Sequence, residues 1–331
     1  MKHLTILVPD AQTGPNTLSC IIGTYHVFTE ANNYYIQQHK NPVFTIELAG
    51  VADHANFVNG LLTVMPQKDI VHIQQTNLVI VPAIVAAFKK LEGSNAVLVD
   101  WISEQYKKGA EVASMCTGAY LLASTGLLDK RNCSIHWKAA TNFKELFPRV
   151  NLKAEKLITD EQGIYTNGGG YSFLHLLIYL VEKYYDRQTA IYCSKIFQID
   201  IDRQEQSDFV IFNAQKSHGD EMIVKAQEYI EKNYADKISI EQLSQQFTVG
   251  RRNFDRRFIK ATGNTPVEYL QRVKIESAKK ELETSRKTVN EVMYEVGYTD
   301  VKAFREVFRK ITGKSPLEYK NKYNKLGVKA F

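Results

Sequence analysis

The sequence predicts two domains of different fold class: an α/β domain with a parallel sheet, followed by an all-α domain. A chain of 331 residues is too long for one ordinary core. Over the first two hundred residues, short β-branched runs alternate with longer helical patterns, which is typical of a parallel sheet with helices on both faces. From Ile223 onward only helical patterns remain.

The strands and helices of the first domain follow from this alternation. The β-branched runs predict strands at Thr5–Val8, Phe44–Leu48, Leu78–Val81, Glu111–Ser114 and Leu157–Thr159 with Ile164–Thr166. Helices are predicted at Leu18–Gln37, Ala96–Lys107, Gly118–Leu127, Trp137–Leu146 and Ser172–Phe197. The last of these begins with a stretch that is apolar nearly all round, so we expect it to be buried.

The second domain is predicted to contain six helices and a final turn. They lie at Ile223–Asn233, Ile240–Gln246, Arg251–Ala261, Val267–Glu283, Val289–Glu295 and Val301–Ile311, with the turn near Leu317–Tyr323. Gly263, Gly297 and Gly313 mark helix ends, and Pro266 and Pro316 stand where a first helical turn tolerates proline. We therefore expect a first domain at 1–200, a polar linker at 201–222 and a second domain at 223–325.

Charge is distributed unevenly between these two parts. Residues 223–331 contain 23 Lys and Arg against 14 Asp and Glu, whereas residues 1–222 contain 19 against 22. A basic domain joined to a weakly acidic one suggests a polyanion binder coupled to a part with another task.

The cysteines and the apolar segments indicate in which compartment the protein is expected. Cys20, Cys116, Cys133 and Cys193 form no C-x-x-C pair and no metal-ligand spacing, so we expect reduced thiols and no metal. The N-terminal apolar run is short and strand-like, unlike a signal peptide. No apolar stretch approaches the ~18 residues of a membrane span. A cytoplasmic protein without a cofactor or a membrane partner is expected.

A duplication in the second domain indicates its function. The segment Asn253–Tyr269 recurs as Ala303–Tyr319 at an offset of 50 residues. In each copy two phenylalanines stand four apart, so they share the buried face of a helix and leave the basic residues outside. Two basic helices at a fixed separation suit two successive major grooves of DNA. A solvated basic face of an ordinary bundle is the alternative, and the repetition of the pattern disfavours it.

The residues expected at the DNA follow from these helices. Gly250 and Asp300 stand at the predicted N-caps, where free backbone N–H groups can receive a phosphate. Lys260 and Lys310 stand at the far ends, placed for backbone contacts. The full predicted set is Gly250, Arg251, Arg252, Asp255, Arg256, Lys260, Asp300, Lys302, Arg305, Glu306 and Lys310.

The second domain resembles the AraC/XylS DNA-binding domain, two helix-turn-helix units joined by a long helix. The motifs that carry the resemblance are Ile240-Glu-Gln-Leu243, Arg252-x-Phe-x-Arg-x-Phe258, Ala261-Thr-Gly-x-Thr-Pro266 and Phe304-x-x-x-Phe-x-x-x-x-Gly-x-Ser-Pro-x-x-Tyr319. The resemblance implies base contacts by Arg252, Asp255 and Arg256, and by Lys302, Arg305 and Glu306. The family commonly has arginine at the position of Glu306. This carboxylate could accept from cytosine N4, or the second helix could contribute little specificity.

Cys116 is the candidate reactive group of the first domain. It lies where a strand runs into a helix, beside unpaired N–H groups that can lower a thiol pKa. His136 follows twenty residues later, and a cysteine with a histidine is the minimum for thiol catalysis. The alternative is that Cys116 is a small buried residue and His136 a structural one.

The first domain resembles the PfpI-like class I glutamine amidotransferase superfamily over about residues 4–197. The motifs are Ala113–Leu128, Ile135-His-Trp137, Phe147-Pro148 and Thr166-Asn-Gly-Gly169. This resemblance implies a flavodoxin-like sheet with an elbow cysteine, a histidine and a carboxylate after the first strand. Asn16 stands at the position matched to that carboxylate, although Asp10 lies close to it in sequence. The loss of the carboxylate argues against retained catalysis and leaves Cys116 and His136 as vestigial candidates.

Joined in this order, the two halves resemble GlxA-type regulators of the AraC/XylS family. That resemblance implies no enzyme but a homodimer formed through the first domain, which senses an amino acid or quaternary-amine derivative and controls binding to double-stranded promoter DNA. RNA polymerase is a further possible partner. The expected ligand contacts are Asn16, Cys116, Thr117, His136, Trp137 and Asn167. Trp137 and Tyr171 are the aromatic candidates for a quaternary ammonium group. The competing hypothesis is a cysteine-dependent amidase or hydrolase fused to a DNA-binding module.

Overall fold

The computed structural model describes residues 1–10, 13–85, 95–212, 216 and 218–324. It divides into two compact units, Met1–Gln206 and Ser207–Phe331. Parts of the predicted domains and linker (11–12, 86–94, 213–215, 217 and 325) lie outside the described residues. The predicted bounds of the domains and of the linker stay predictions.

A seven-stranded sheet forms the centre of the first unit. From one edge to the other its strands are β10 (Ile158–Glu161), β11 (Ile164–Asn167), β7 (Glu111–Met115), β6 (Leu78–Val81), β1 (Lys2–Leu7), β2 (Phe44–Gly50) and β5 (Lys68–Asp69). Every neighbouring pair is parallel except β10 and β11. The two residues that join this antiparallel pair, Gln162 and Gly163, both have positive φ angles, 54° and 75°, as in a tight hairpin turn. The predicted α/β class is confirmed, with one antiparallel edge.

The remaining elements of the first unit are helices on both faces and two small sheets. The helices are α1 (Pro15–Gln37), α2 (Asn95–Lys107), α3 (Ala119–Ser124), α4 (Ala140–Leu146), α5 (Phe173–Tyr184) and α6 (Arg187–Ile196). The small sheets pair β3 (Ala55–Phe57) with β4 (Leu62–Val64), and β8 (Asn132–Cys133) with β9 (Asn151–Leu152). Leu4 and Ile6 of β1 face a core shared with α1, α5 and α6, whereas Leu7 faces a core shared with α2 and α3.

The single helix predicted at Ser172–Phe197 is wrong, because the chain breaks between α5 and α6. Asp186 caps α6, and its carboxylate accepts hydrogen bonds from the backbone N–H and the hydroxyl group of Thr189, both at 2.8 Å. An aspartate that caps a new helix competes with continuation of the previous one. The expected burial of the first part is confirmed, since most apolar side chains of α5 are buried.

The second unit consists of seven helices among its described residues. They are α7 (Glu221–Asn233), α8 (Ile240–Gln246), α9 (Arg251–Thr262), α10 (Pro266–Thr284), α11 (Val289–Glu295), α12 (Val301–Thr312) and α13 (Pro316–Tyr323). The all-helical prediction is confirmed, and the predicted final turn is a helix. None of the helices in the described ranges has the length and the apolar character that crossing a membrane requires.

The sequence repeat is also a repeat of structure. Helices α9 and α12 both end at a left-handed glycine, Gly263 at φ 70° and Gly313 at φ 77°. The next helix of each copy begins with a reciprocal capping box, in which a glutamate three residues on bonds back to the cap. Tyr269 and Tyr319 each donate a hydrogen bond to a glutamate of a preceding helix at 2.5 Å. Each copy is therefore one supersecondary unit with its own core.

Gly297 lies in a tightly packed turn between α11 and α12. Its φ angle is 76°, and a Cβ atom there would overlap the carbonyl oxygen of Ala235 and approach Lys274 Nζ, which donates a hydrogen bond to the Gly297 carbonyl at 3.0 Å. We expect Gly297→Ala to lower the free energy of unfolding of the second unit by more than about 2 kcal/mol, because left-handed strain and a backbone clash add.

The matched control is Gly263→Ala, which has a similar φ angle of 70° but open space around the new Cβ. It should cost only about 1 kcal/mol in urea unfolding followed by circular dichroism. Equal losses for the two variants would contradict the packing role of Gly297.

Candidate DNA-binding and ligand-binding sites

Two helices of the second unit carry the predicted DNA contacts, with their phenylalanines inward. Phe254 and Phe258 of α9 and Phe304 and Phe308 of α12 are fully buried. The residues exposed to solvent near these phenylalanines include Arg252, Asn253 and Arg256 on α9 and Lys302, Ala303, Arg305 and Glu306 on α12. Lys260 and Lys310 are exposed near the ends of their helices. The predicted burial of the phenylalanines is confirmed for both helices, whereas Asp255 and Arg257, which were also expected to face outward, are half-buried.

Other charged residues of α9 bind partners within the protein. Arg251 Nε lies 2.9 Å from both carboxylate oxygens of Asp255, one turn further along the helix. Arg257 was expected to face outward, but its guanidinium makes two hydrogen bonds, of 2.9 and 2.7 Å, to the Asp220 carboxylate that caps α7. These bonds lower the pKa of Asp220. Arg257 therefore fastens α9 to α7, a pairing that sequence spacing does not reveal.

The N-termini of the two helices differ. Asp300 caps α12, and its Oδ1 accepts from the backbone N–H groups of Lys302 at 2.7 Å and Ala303 at 2.9 Å. Gly250 caps α9 and supplies no side chain. A phosphate approaching α12 meets a carboxylate that already occupies these donors, whereas the first turn of α9 presents its N–H groups without a side-chain cap. The two predicted phosphate positions are thus not equivalent.

Cys116 occupies a strained elbow in the first unit. It follows β7 directly, its φ angle is 53°, and a 3-10 turn leads from it into α3. Such an angle is unfavourable for a residue with a side chain and is maintained only by tight surroundings. The backbone is packed tightly at Gly118, two residues later, because a Cβ atom there would clash with the backbone carbonyls of Val81 and Pro82. The elbow has the geometry that presents a nucleophile in many enzymes.

Burial works against the chemistry expected of such an elbow. Cys116 is only 3% exposed, and burial raises the pKa of its thiol to about 11, against smaller opposing effects of hydrogen bonds with Thr117. The sequence suggested that the helix N-terminus could lower this pKa, and that expectation is wrong, because desolvation by burial is the largest effect on the thiol. At neutral pH the residue is a buried thiol rather than a thiolate.

His136 makes no hydrogen bond with Cys116 in the part of the chain that the structure describes. Its Nδ1 accepts from the backbone N–H of Lys138 at 3.1 Å, so the ring caps the 3-10 turn that begins at Trp137. Burial lowers the pKa of His136, with a further contribution from the charge of Lys138. The histidine is thus bonded within its own turn rather than to Cys116.

The other predicted ligand contacts have different environments. Asn167 ends β11, beside Met115 at the end of β7. Its amide nitrogen donates to three backbone carbonyls, but its Oδ1 is buried without a hydrogen-bond partner among the described residues. Thr117 donates to the carbonyl oxygen of Ile84 at 2.6 Å. Asn16 is exposed in the first turn of α1, and Tyr171 is 67% exposed.

These positions share the carboxyl edge of the parallel sheet. Cys116 and Asn167 follow adjacent strands, and Thr117 is bonded to the loop after the next strand, β6. In the sheet β1 lies between β2 and β6, so the strand order reverses direction at β1. In open α/β sheets a ligand crevice is expected at the carboxyl edge beside such a point. Within the described ranges no group of three or more His, Cys, Asp or Glu side chains is arranged to hold a metal ion.

Comparison with known families agrees with the fold of both units. Residues 42–179 match the DJ-1/PfpI family, and residues 243–322 match a helix-turn-helix domain of the AraC type. The chain joins a DJ-1/PfpI domain to an AraC-type helix-turn-helix domain. This confirms the family resemblance and the fold of each part.

Curated relatives have the same architecture. The transcriptional regulator GbdR of Pseudomonas aeruginosa is 25% identical over 219 residues, 66% of this chain and 59% of GbdR. GlxA of Rhizobium meliloti, also a transcriptional regulator, is 24% identical over 213 residues, 63% of this chain and 64% of GlxA. The chain thus matches less than two thirds of the length of these relatives.

A solved structure shows the fold of the DJ-1/PfpI domain. A transcriptional regulator protein from Vibrio parahaemolyticus superposes with a TM-score of 0.50 at 22% identity, covering 59% of this chain and 98% of the other.

Gln206 is a residue of the DJ-1/PfpI domain that the sequence analysis missed. Its side chain is fully buried, and Nε2 donates to the backbone carbonyls of Ile135 at 2.8 Å and Ala154 at 2.7 Å. Its Oε1 accepts from the backbone N–H of Trp137 at 3.3 Å. The absence of a side chain at Gly168 leaves room for this amide. Gln206 thus ties the last residues of the first unit to the loop that carries His136 and Trp137.

Gln206 is a polar residue in the polar segment 201–222, which the sequence predicts to be a linker. Nothing in the local sequence indicates that its side chain is buried. The other end of that segment is also anchored, but in the AraC-type unit. Lys279 Nζ donates to the carbonyl of Val210 at 2.7 Å, and the backbone N–H of Phe212 donates to Glu276 at 3.2 Å. Burial by tertiary contacts, not local composition, distinguishes these anchored residues.

We expect Gln206→Leu to lower the free energy of unfolding of the DJ-1/PfpI unit by about 3 kcal/mol, because buried carbonyls and an N–H group lose their partners while the volume stays similar. Urea unfolding followed by tryptophan fluorescence reports on this unit, since the chain has 2 tryptophans and both Trp101 and Trp137 lie in it.

Gln204→Leu is the control for that measurement. It makes the same change two positions earlier at an exposed side chain, and should alter the unfolding free energy by less than about 0.5 kcal/mol. If both variants unfolded at the same urea concentration, the anchoring role of Gln206 would be rejected.

Proposed function

We propose that the protein is a cytoplasmic transcriptional regulator that binds promoter DNA through α9 and α12 and responds to a small molecule held in its DJ-1/PfpI domain. The observation that carries this proposal is the duplicated arrangement of exposed basic residues over buried phenylalanine pairs. The net positive charge of residues 223–331 supports it, because cations attract the phosphate backbone at any sequence.

Within this proposal the two recognition helices have different tasks. On α9, Arg252 and Arg256 are exposed and long enough to reach guanine edges, while Arg251 and Asp255 hold each other. On α12, Lys302 and Arg305 are exposed beside Glu306, whose carboxylate either accepts from cytosine N4 or weakens this helix as a reader. The open N-terminus at Gly250 favours a phosphate contact at α9 over α12. Lys260 and Lys310 supply contacts to the backbone.

Arg256→Ala distinguishes base recognition from electrostatic attraction to the DNA phosphates. We expect it to weaken binding to the cognate promoter by about 1–3 kcal/mol and to relax sequence preference at one base pair, whereas Lys260→Ala should weaken specific and random DNA alike. Fluorescence anisotropy on both kinds of duplex at fixed salt measures the difference.

Arg149→Ala removes the same charge from an exposed position of the first unit and serves as the control. It should leave both affinities nearly unchanged. Loss of affinity for random DNA as large as for the promoter in Arg256→Ala would exclude base recognition by this residue.

The effector site is proposed at the carboxyl edge of the sheet, around Cys116, Thr117, Asn167 and the His136–Trp137 loop. The Oδ1 of Asn167, which has no partner within the described ranges, supports it, because a buried polar atom without a partner is rare unless a ligand or water meets it. An amino acid or quaternary-amine derivative fits this proposal, with Trp137 as the aromatic partner of a cation. Asn16 and Tyr171, both exposed, are included in this proposal as further ligand contacts.

The strained but buried thiol at Cys116 favours a sensor over a cysteine hydrolase. A ligand that binds the two DNA-binding arrangements unequally would shift promoter occupancy. Dimerisation through the DJ-1/PfpI domain would double the DNA contacts, and contact with RNA polymerase would convert occupancy into transcription.

A thermal-melting screen of the full-length protein against amino acids and small amines tests the sensor directly. A true effector at about a hundred times its dissociation constant should stabilise the DJ-1/PfpI domain by about 2.7 kcal/mol and be recovered unchanged. Cys116→Ser should retain promoter control. A compound returned chemically altered, with the alteration abolished in Cys116→Ser, would overturn the sensor in favour of an amidase or hydrolase.

A further inference from the structure

Helix α10 joins the two copies of the repeat, and Lys274 lies near its middle with a buried side chain. This residue is only 8% exposed, whereas lysine is seldom buried unless it is paired. Val273, just before it, packs against the core of the first copy, and Ile275, just after it, belongs to the core of the second. Lys274 therefore lies at the boundary between the two copies.

Lys274 holds the second copy at the turn that leads into α12. Its Nζ donates a hydrogen bond to the carbonyl of Gly297 at 3.0 Å and lies 5.3 Å from the centre of the Tyr298 ring. That ring packs against Phe304, with the two ring centres 5.3 Å apart. Phe304 is one of the two buried phenylalanines of α12. The ammonium group is thus connected to the recognition helix through the turn before it.

The first copy reaches the same place through the turn that follows α7. The carbonyl oxygen of Ala235 lies so close to Gly297 that a Cβ atom there would overlap it. Burial lowers the pKa of Lys274, and the negative charge of Asp236 opposes this effect. The turn after α7 and the turn before α12 therefore meet at Lys274.

A second contact between the copies lies about one helical turn along α10. Tyr234, which ends α7, packs against the core of the second copy, and its hydroxyl group lies 2.6 Å from Ser277 Oγ. Ser277 follows Lys274 by three residues, so both lie on the same side of α10. Two contacts on one side of a helix restrict rotation of one copy against the other.

We propose that Lys274 is a positioning residue for DNA recognition, which fixes the separation and orientation of α9 and α12 and so selects the spacing of the two DNA segments that they contact. The inference rests on the proposed function. One additional base pair moves a segment by about 3.4 Å along the DNA axis and turns it by about 35°. Two helices held at a fixed separation cannot both follow this change, so one of them loses its bases.

The probes are duplexes selected from random DNA by the full-length protein. The segments that α9 and α12 contact are assigned from the base preferences that Arg256→Ala and Arg305→Ala abolish. One base pair is then inserted or deleted between these segments, and binding is measured by fluorescence anisotropy at fixed salt. We expect either change to weaken binding of the wild-type protein by about tenfold or more.

Lys274→Met keeps a long side chain but removes the donor and the charge. Replacing a buried charge by an apolar residue often preserves stability, so we expect the variant to fold. It should bind the original spacing about threefold more weakly, because the helices are less preorganised, and should lose only about a further threefold on insertion or deletion. Lys274→Arg retains a donor and should restore the discrimination. Lys280→Met, the same change at an exposed lysine of α10, is the control and should behave like the wild type.

Spin labels measure the positioning without DNA. Asn253→Cys and Ala303→Cys place labels at equivalent exposed positions of the two copies, and the four native cysteines are buried. Dilution with unlabelled protein restricts the measurement to distances within one chain. We expect a narrow distribution of distances between the labels, which Lys274→Met broadens and Lys280→Met does not.

The proposal would be overturned if the wild-type protein tolerated the altered spacing, or if Lys274→Met discriminated spacing as strongly as the wild type. A lysine that only fills space in the core would lower the free energy of unfolding in urea without changing this discrimination, and that result would also reject the positioning role. Broadened label distances in Lys274→Met, with no duplex selected by the wild-type protein, would reject the proposed function but not the junction at Lys274. The two failures are therefore distinguishable.

Discussion

The burial of two phenylalanines one helical turn apart is the constraint on which the AraC-type unit depends. Phe254 and Phe258 are fully enclosed by the first core, and Phe304 and Phe308 by the second. Burying a large aromatic side chain contributes several times more than any surface charge pair, so the orientation of each helix follows from these rings. The basic residues of α9 and α12 point to solvent as a consequence, and the outward face is then available for DNA.

The DJ-1/PfpI domain combines the backbone geometry of a nucleophile elbow with a buried cysteine whose thiol pKa is raised. The positive φ angle of Cys116 and the close approach of Gly118 to the carbonyls of Val81 and Pro82 are costly features that tertiary packing maintains. The thiol nevertheless lies in an apolar environment that favours its neutral form, and His136 is engaged by its own turn. The same architecture that presents a nucleophile can therefore enclose a pocket, since the crevice at the sheet edge depends on the backbone rather than on the ionisation of the cysteine.

The residues that follow α6 are held by tertiary contacts, although their composition is polar. Gln206 contacts the loop of His136 and Trp137, and the residues before it line a cleft beside β10. Val210 and Phe212, which belong to the second unit, are bonded to α10.

The sequence by itself determined the two fold classes, the helices of the second unit and the outward residues of α9 and α12, because periodicity and duplication are local signals that directly reflect burial. The tertiary structure decided the rest. Asp186 divides α5 from α6, and Arg257 is taken by Asp220. Desolvation raises the Cys116 pKa that its position at a helix start suggested would fall. Gln206 becomes a buried anchor within a polar stretch. Asp186 caps α6 through Thr189, three residues away, and is a local signal that the apolar run obscured. The other outcomes depend on partners distant in sequence, so no local pattern could reveal them.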